Sequence, residues 1–254
     1  MDDSLKGRVA LVTAAAGQGI GQAIARRFAA AGAAVVVTDV HERRTHEVAQ
    51  KVERDYPGVT VLGLPMDAGD RTAIDATVAE AERRLGPVTV LVNNAALNIL
   101  GSIFDYDPAD WDAVLRVNLN GPWYLCRRTL PGMRDAGGGV VLNVGSYAPD
   151  VGGEGNETAY AASKGGLAAL TRCIAWEGGP HGIRCNTISM GVVEGTRFID
   201  AHPEIRADGL ARSPLGRLAQ VDEIAELAAY LASDRARSIT GEVVNVAAGS
   251  YMRN

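Results

Sequence analysis

A chain of 254 residues with 47% hydrophobic content is long enough to bury a full core as one large α/β domain. Its formal net charge of -5 removes any electrostatic reason to approach nucleic acid or anionic lipid, both of which attract basic patches. Three widely spaced cysteines, Cys126, Cys173 and Cys185, lack the CxxC spacing of a zinc site, and the opening "MDDSLKGRVALVT" holds only a short apolar run, so the expectation is a protein of the reducing cytoplasm with no metal, signal peptide or membrane span.

Apolar, β-branched runs at 8–13, 33–38, 59–64, 88–93, 140–144, 184–189 and 242–246 predict seven strands. They are nearly continuous in apolar residues instead of alternating, the pattern of strands covered on both faces. Helical stretches separate them. In "DRTAIDATVAEAERRLG", for example, Ile74, Val78, Ala81 and Leu85 recur at helical spacing and Gly86-Pro87 ends the helix. This alternation predicts a Rossmann-like, doubly wound α/β fold: a seven-stranded parallel sheet with helices on both faces, in a single domain over 1–254. The least regular stretch, about 191–216, leaves a strand's carboxyl end before a helix at about 221–233, the place for a substrate lid.

Along that frame, "VTAAAGQGIGQAIARRF" puts Gly17, Gly19 and Gly21 between the first strand and a helix, where free backbone N–H groups can meet a phosphate; a tight turn without ligand is the alternative. Asp39 closes the second strand about twenty residues on, where a carboxylate can accept from both ribose hydroxyls of an adenosine and would repel a 2′-phosphate, so NAD is preferred over NADP. Asp67, after the third strand, either meets the adenine amino group or caps the next helix. Asn93 and Asn94, in "VNNAA" at the end of the fourth, serve either structural hydrogen bonding or cofactor contact. Asn118 is a polar residue inside an apolar helix, with Pro122 behind it to disturb the backbone ladder; it either satisfies a freed backbone group or holds a proton-carrying water. Ser146 lies just beyond the fifth strand on the same rim. In "TAYAASKGGLAALTRCIAW", Tyr160 and Lys164 share one helix face, roughly 5–6 Å apart at their β-carbons, and an ammonium there should lower the phenol's pKa and suit it to acid–base work.

These motifs, in this order and spacing from about Leu5 to Tyr251, resemble the short-chain dehydrogenase/reductase family. The resemblance implies a catalytic tetrad of Asn118, Ser146, Tyr160 and Lys164: tyrosine as acid/base, serine positioning the substrate oxygen, lysine also gripping the nicotinamide ribose, asparagine anchoring a water relay. It implies cofactor contacts at Gly17, Gly19, Ile20, Gly21, Asp39, Asp67, Ala68, Asn94, Ala95, Tyr160 and Lys164, and at Val193 and Thr196 for the nicotinamide end. It also implies a homotetramer or homodimer built through the helices of Asn118 and Tyr160.

Several positions depart from the family pattern. Ala14 replaces a glycine, the path from Thr13 to "GIG" is one residue longer, and Ala96 ends "NNAA". Ser146 precedes Tyr160 by fourteen residues instead of thirteen, read as one extra residue in "DVGGEGNET"; the other register would turn Tyr147 to the substrate. Met190 stands in "SMG", Gly195 where Thr196 is expected, and Ala247 and Ala248 where Asp-Gly-Gly is common. The expected function is an NAD-dependent interconversion of a secondary alcohol and a ketone. The alternatives are an NADPH-dependent 3-oxoacyl reductase, which "SPLGRLAQVDEIAELAAYLASD" and "ITGE" resemble, and a non-catalytic nucleotide-binding regulator. Leu97, Ile103, Tyr147, Val151, Phe198 and Ile199 are candidates for an apolar substrate pocket, or else ordinary packing; Arg197 and Arg206 either meet an anion or are solvated.

Overall fold

Strand β1 (Val9–Val12) is buried along its whole length, which is what a central parallel strand with helices over both faces requires. A computed structural model describes residues 3–252. The chain continues through α1 (Ile20–Ala30), β2 (Ala34–Asp39), α2 (Glu42–Asp55), β3 (Val61–Pro65), α3 (Arg71–Leu85) and β4 (Val90–Asn93). It then runs through α4 (Pro108–Leu115), a π-helical turn (Arg116–Asn120), α5 (Gly121–Asp135), β5 (Gly139–Val144), a one-turn α6 (Ala148–Val151), α7 (Thr158–Gly178) and β6 (Ile183–Met190). The last part holds β7 (Val193–Glu194), α8 (Arg197–Ala201), α9 (Pro203–Arg212), β8 (Ala219–Gln220), α10 (Val221–Ala232) and β9 (Val243–Val246).

Seven strands pair in parallel in the order β3-β2-β1-β4-β5-β6-β9, a single-domain doubly wound sheet whose direction of winding switches between β1 and β4. Period-two alternation splits the core. Val35 and Val37 face Ile24, Phe28, Ile224 and Ala228 of α1 and α10, while Val36 faces the layer that includes Ile74, Val78, Leu125 and Ile174 of α3, α5 and α7. Because every strand is parallel, the ends that follow Val12, Asp39, Pro65, Asn93, Val144 and Met190 open on one edge, and that edge carries the polar residues singled out above.

Two features were not anticipated. Beyond the seven strands, β7 and β8 form a small parallel ribbon that ties together the two ends of the irregular segment. The helix carrying Asn118 is also broken by the π turn, closed by a bond from the Gly121 amide to the Arg116 carbonyl. Pro122 has no N–H to give the Asn118 carbonyl, and a β-carbon at Gly121 would stand 2.0 Å from the Ala68 carbonyl oxygen, so only glycine permits this approach. α3 starts on Asp70, whose carboxylate accepts from the Thr72 amide at 2.8 Å; the helix-capping alternative for Asp67 is thereby corrected. No helix among the described residues is long and apolar enough to cross a membrane.

Candidate active site

The loop after β1 is built around an open helix start. Gly19 caps α1 at φ 139°, ψ -158°, a conformation left to glycine; no side chain caps the helix and no acidic residue sits in its first turn. The first-turn amides of Ile20 and Gly21 therefore remain for an outside acceptor. A β-carbon at Gly17 would meet nothing within 4 Å, whereas one at Gly21 would come within 2.6 Å of the Ala14 carbonyl oxygen, so Gly21 lets α1 pack close and Gly17 borders free space. Ala14 holds φ 51° where the family pattern has glycine. The departure is thus absorbed as a left-handed alanine.

Asp39, buried at the end of β2, accepts from the Ala16 amide at 3.3 Å and the His41 amide at 3.2 Å. A carboxylate has about four acceptor positions, so it keeps room for ribose hydroxyls. The open helix start, the free space at Gly17 and this carboxylate one strand away together fit a dinucleotide. Asp67 accepts from the Gly69 amide at 2.7 Å and pairs with Arg116 at 3.1 Å; Ala68 is buried against Gly121.

A chain of hydrogen bonds connects that loop to α7. Asn94 Nδ2 donates to the carbonyls of Thr13 at 2.9 Å and Ala14 at 3.2 Å, and the amides of Asn94 and Ala95 both donate to Thr13 Oγ1 at 2.9 Å. Asn118, fully buried, takes the Leu97 amide at 2.7 Å and donates to the Leu97 carbonyl at 2.9 Å and to Ser163 Oγ at 3.0 Å. Ser163 in turn donates to the Tyr160 carbonyl at 2.7 Å. The Asn94 amide group is thus spent on backbone, and that of Asn118 on backbone and Ser163. Asn93 turns the other way, donating to Asn143 at 2.8 Å in a buried network that continues to Thr171 and Thr187.

Ser146, Tyr160 and Lys164 converge. The Ser146 hydroxyl accepts from the Ala148 amide at 3.0 Å and lies close enough to the Tyr160 phenol to favour its ionised form, whereas Tyr147 turns elsewhere. Between Ser146 and Tyr160 the chain turns through Gly152, Gly153, Glu154 and Gly155, all with positive φ. Tyr147 instead stacks on Tyr251 at 5.5 Å. The Lys164 amine sits 5.5 Å from the Tyr160 ring centre and donates to the Val144 carbonyl at 2.7 Å. The expected lowering of the phenol's pKa is corrected: burial first, then the Glu157 charge, push Tyr160 up to about 12 against the opposing influence of the Ser146 hydroxyl. Burial pulls Lys164 down to about 8. Low-dielectric surroundings favour both neutral forms, and at this separation they outweigh the amine's attraction for a phenolate.

At the far side, Val193 is buried in the ribbon and Thr196 Oγ1 donates to its carbonyl at 3.0 Å. Arg206, left open between solvent and an anion, pairs with Glu194 at 3.0 Å. Ile199 is core, Phe198 packs on His202, and Ile103 is exposed. Three side chains near the site were missed: Ser163, Asn98 and Glu157. Glu157 stands three residues before Tyr160, a legible helical spacing; Asn98 reaches it only through the fold.

Residues 14–250 match the family described as enoyl-(acyl carrier protein) reductase. A 3-oxoacyl-[acyl-carrier-protein] reductase of Pseudomonas aeruginosa is 36% identical over 250 residues, covering 98% of this chain and 99% of that protein. A (5R,7aS)-5-hydroxy-7a-methyl-1-oxo-2,3,5,6,7,7a-hexahydro-1H-indene-carboxyl-CoA reductase of Mycobacterium tuberculosis is 39% identical over 245 residues, covering 95% and 92%. Among solved structures, a gluconate 5-dehydrogenase of Burkholderia cenocepacia in complex with NADP and tartrate superposes with a TM-score of 0.90 at 29% identity, over 98% of this chain and 97% of that one.

Proposed function

Because this chain belongs to the short-chain dehydrogenase/reductase family, and so is an NAD(P)-dependent oxidoreductase acting on hydroxyl or keto groups, we propose that it interconverts a secondary alcohol and a ketone with NAD, using Tyr160 as the proton donor and acceptor. The bound nicotinamide supplies the hydride acceptor or donor. In our reading Gly17, Gly19, Ile20 and Gly21 hold the pyrophosphate, Asp39 the adenosine ribose, and Asp67 and Ala68 border the adenine. Asn94 and Ala95 shape the floor, and Val193, Thr196, Tyr160 and Lys164 hold the nicotinamide end. Ser146 donates to the substrate oxygen. A phenol pushed up to about 12 is neutral at pH 7, ready to give its proton to a ketone oxygen, and Lys164, while protonated, steadies the phenolate left behind. Asn118 is a positioning residue, fixing Leu97 and Ser163 beside the reacting groups.

The observation that carries this reading is the Lys164 amine held 5.5 Å from the Tyr160 ring centre by the Val144 carbonyl, at the end of the strand that Ser146 follows, on the sheet edge that also bears the glycine loop. Tyr160→Phe tests it: turnover of a ketone panel should fall by about 10²–10⁴ while NADH binding, read by nicotinamide fluorescence, is retained. Unchanged turnover overturns the role.

A second reading, an NADPH-dependent 3-oxoacyl reductase, is favoured by the name of the Pseudomonas relative and by the NADP in the Burkholderia complex. Asp39 argues against it, since a buried carboxylate there opposes a 2′-phosphate. We expect NADH to bind at least about 10-fold more tightly than NADPH; the reverse order overturns the NAD assignment. The segment 191–216, tied at both ends by the ribbon, serves as the substrate lid, and the partner is a second copy of the chain in a homotetramer or homodimer. The three free cysteines suit a cytoplasmic location.

A further inference from the structure

We propose that Glu154 is a positioning residue: it latches helix α9 of the lid to the turn that joins Ser146 to Tyr160, and so holds the site closed over its substrate. This rests on the lid assigned to 191–216 above. In a run of four residues that all have positive φ, Glu154 is the one that is not glycine, at 49° between Gly153 and Gly155. A β-carbon in that region is a backbone cost that glycine would avoid. A strained residue kept in such a place directs attention to what its side chain does.

What the side chain reaches is the lid. Glu154 Oε1 accepts from Nη1 of Arg212, the last residue of α9, at 2.8 Å, while the other arm of that guanidinium pairs at 2.9 Å with Asp208, one turn back on the same helix. Asp208 thereby steadies the fork that Glu154 receives. The same Glu154 oxygen accepts from the Tyr147 hydroxyl at 3.4 Å. Tyr147 directly follows Ser146, and its amide donates to the Met190 carbonyl at 3.1 Å while its ring stacks on Tyr251. One carboxylate therefore joins the turn that leads to Tyr160, the residue beside Ser146 and the end of α9. Other ties of this segment lead elsewhere: Arg206 pairs with Glu194 in the ribbon, and Ser213 donates to the Ala248 carbonyl at 2.8 Å. Both side chains of the Glu154–Arg212 pair are roughly half exposed, so water screens it and it can break at every turnover. A latch of this strength acts on KM, because apparent affinity scales with the fraction of molecules whose lid is closed.

The test removes the charge and keeps the shape. In Glu154→Gln, amide hydrogen exchange over residues 203–212 should quicken by about 2–5-fold, and KM for butan-2-one at saturating dinucleotide should rise by about the same factor with kcat kept within about 2-fold. Glu154→Gly, which also frees the turn of its left-handed side chain, should repeat both changes without lowering the melting temperature. Exchange over 203–212 that matches wild type, quickening spread evenly over the whole chain, or a fall in kcat at constant KM overturns the latch. Exchange needs no turnover, so it decides the latch even where the wild-type protein reduces no ketone, the result that overturns the oxidoreductase reading by itself.

Discussion

Lys164 shows at a single residue how a site of this kind opposes its own stability. The amine is 2% exposed and burial lowers its pKa from 10.5 to about 8. Below about pH 8 the folded and unfolded chains both carry the proton, and the folded chain bears the whole desolvation cost. Between about 8 and 10.5 the unfolded chain still binds the proton that the folded chain has lost, so stability from this site rises with pH across that window. Lys164→Met should therefore be more stable than wild type at pH 7 by about 1–2 kcal/mol, after allowing for the lost bond to the Val144 carbonyl. Its advantage should shrink as pH rises toward 10.5 in urea titrations, and activity should be lost. A variant less stable than wild type at pH 7 contradicts this account. Tyr160 gives the complementary expectation for rate. With the phenol raised to about 12, the base needed for alcohol oxidation is scarce at neutral pH, so log kcat/KM for oxidation should climb between about pH 6 and about pH 9. A flat profile would assign the proton to another group.

At the scale of elements, two loops hold alanine in a conformation that suits glycine: Ala14 at φ 51° after β1 and Ala248 at φ 49° after β9. A left-handed non-glycine residue costs about 1–2 kcal/mol, partly offset by the greater unfolded-state freedom of glycine. Ala14→Gly and Ala248→Gly should each stabilise the protein by about 0.5–1 kcal/mol in thermal melts, and a loss of that size at either position would show that its methyl group packs usefully. Gly21→Ala runs the other way. Its methyl would meet the Ala14 carbonyl oxygen at 2.6 Å and Asn94 Nδ2 at 2.5 Å, pushing α1 off the loop and weakening dinucleotide binding and stability together, the latter by about 1–3 kcal/mol. The strands that carry these loops were legible because Val9–Val12 and Val90–Val92 are buried on both faces and so apolar. The π turn was not legible, because it depends on Gly121 meeting the Ala68 carbonyl, residues 53 positions apart that no local pattern connects. The β7–β8 ribbon escaped for a similar reason: two residues on each side give periodicity nothing to act on.

Across the whole molecule, the candidate site divides along the same line. Tyr160 and Lys164 could be read because helical spacing alone aligns them, and Ser146 because every strand of a parallel sheet ends on one edge. The pairing of Asn98 with Glu157, and the link from Asn118 to Ser163, join segments that meet only once the sheet has formed. The outer faces of α5 and α7 pose the remaining question at this scale, because Trp176 is 87% exposed and Trp123 is 43% exposed. An indole left in water on an otherwise regular helix is a large apolar surface without a partner, and a second copy meeting it about a two-fold axis would cover it twice. Burying a side chain of that size contributes about 2–3 kcal/mol, and a two-fold interface doubles the effect of any one substitution. Trp176→Glu should therefore weaken self-association by about 100-fold or more, seen in sedimentation as a shift from tetramer or dimer toward monomer at micromolar protein. An unchanged assembly would move the interface off this face of α7, and a wild-type protein that sediments as a monomer would remove the oligomer itself.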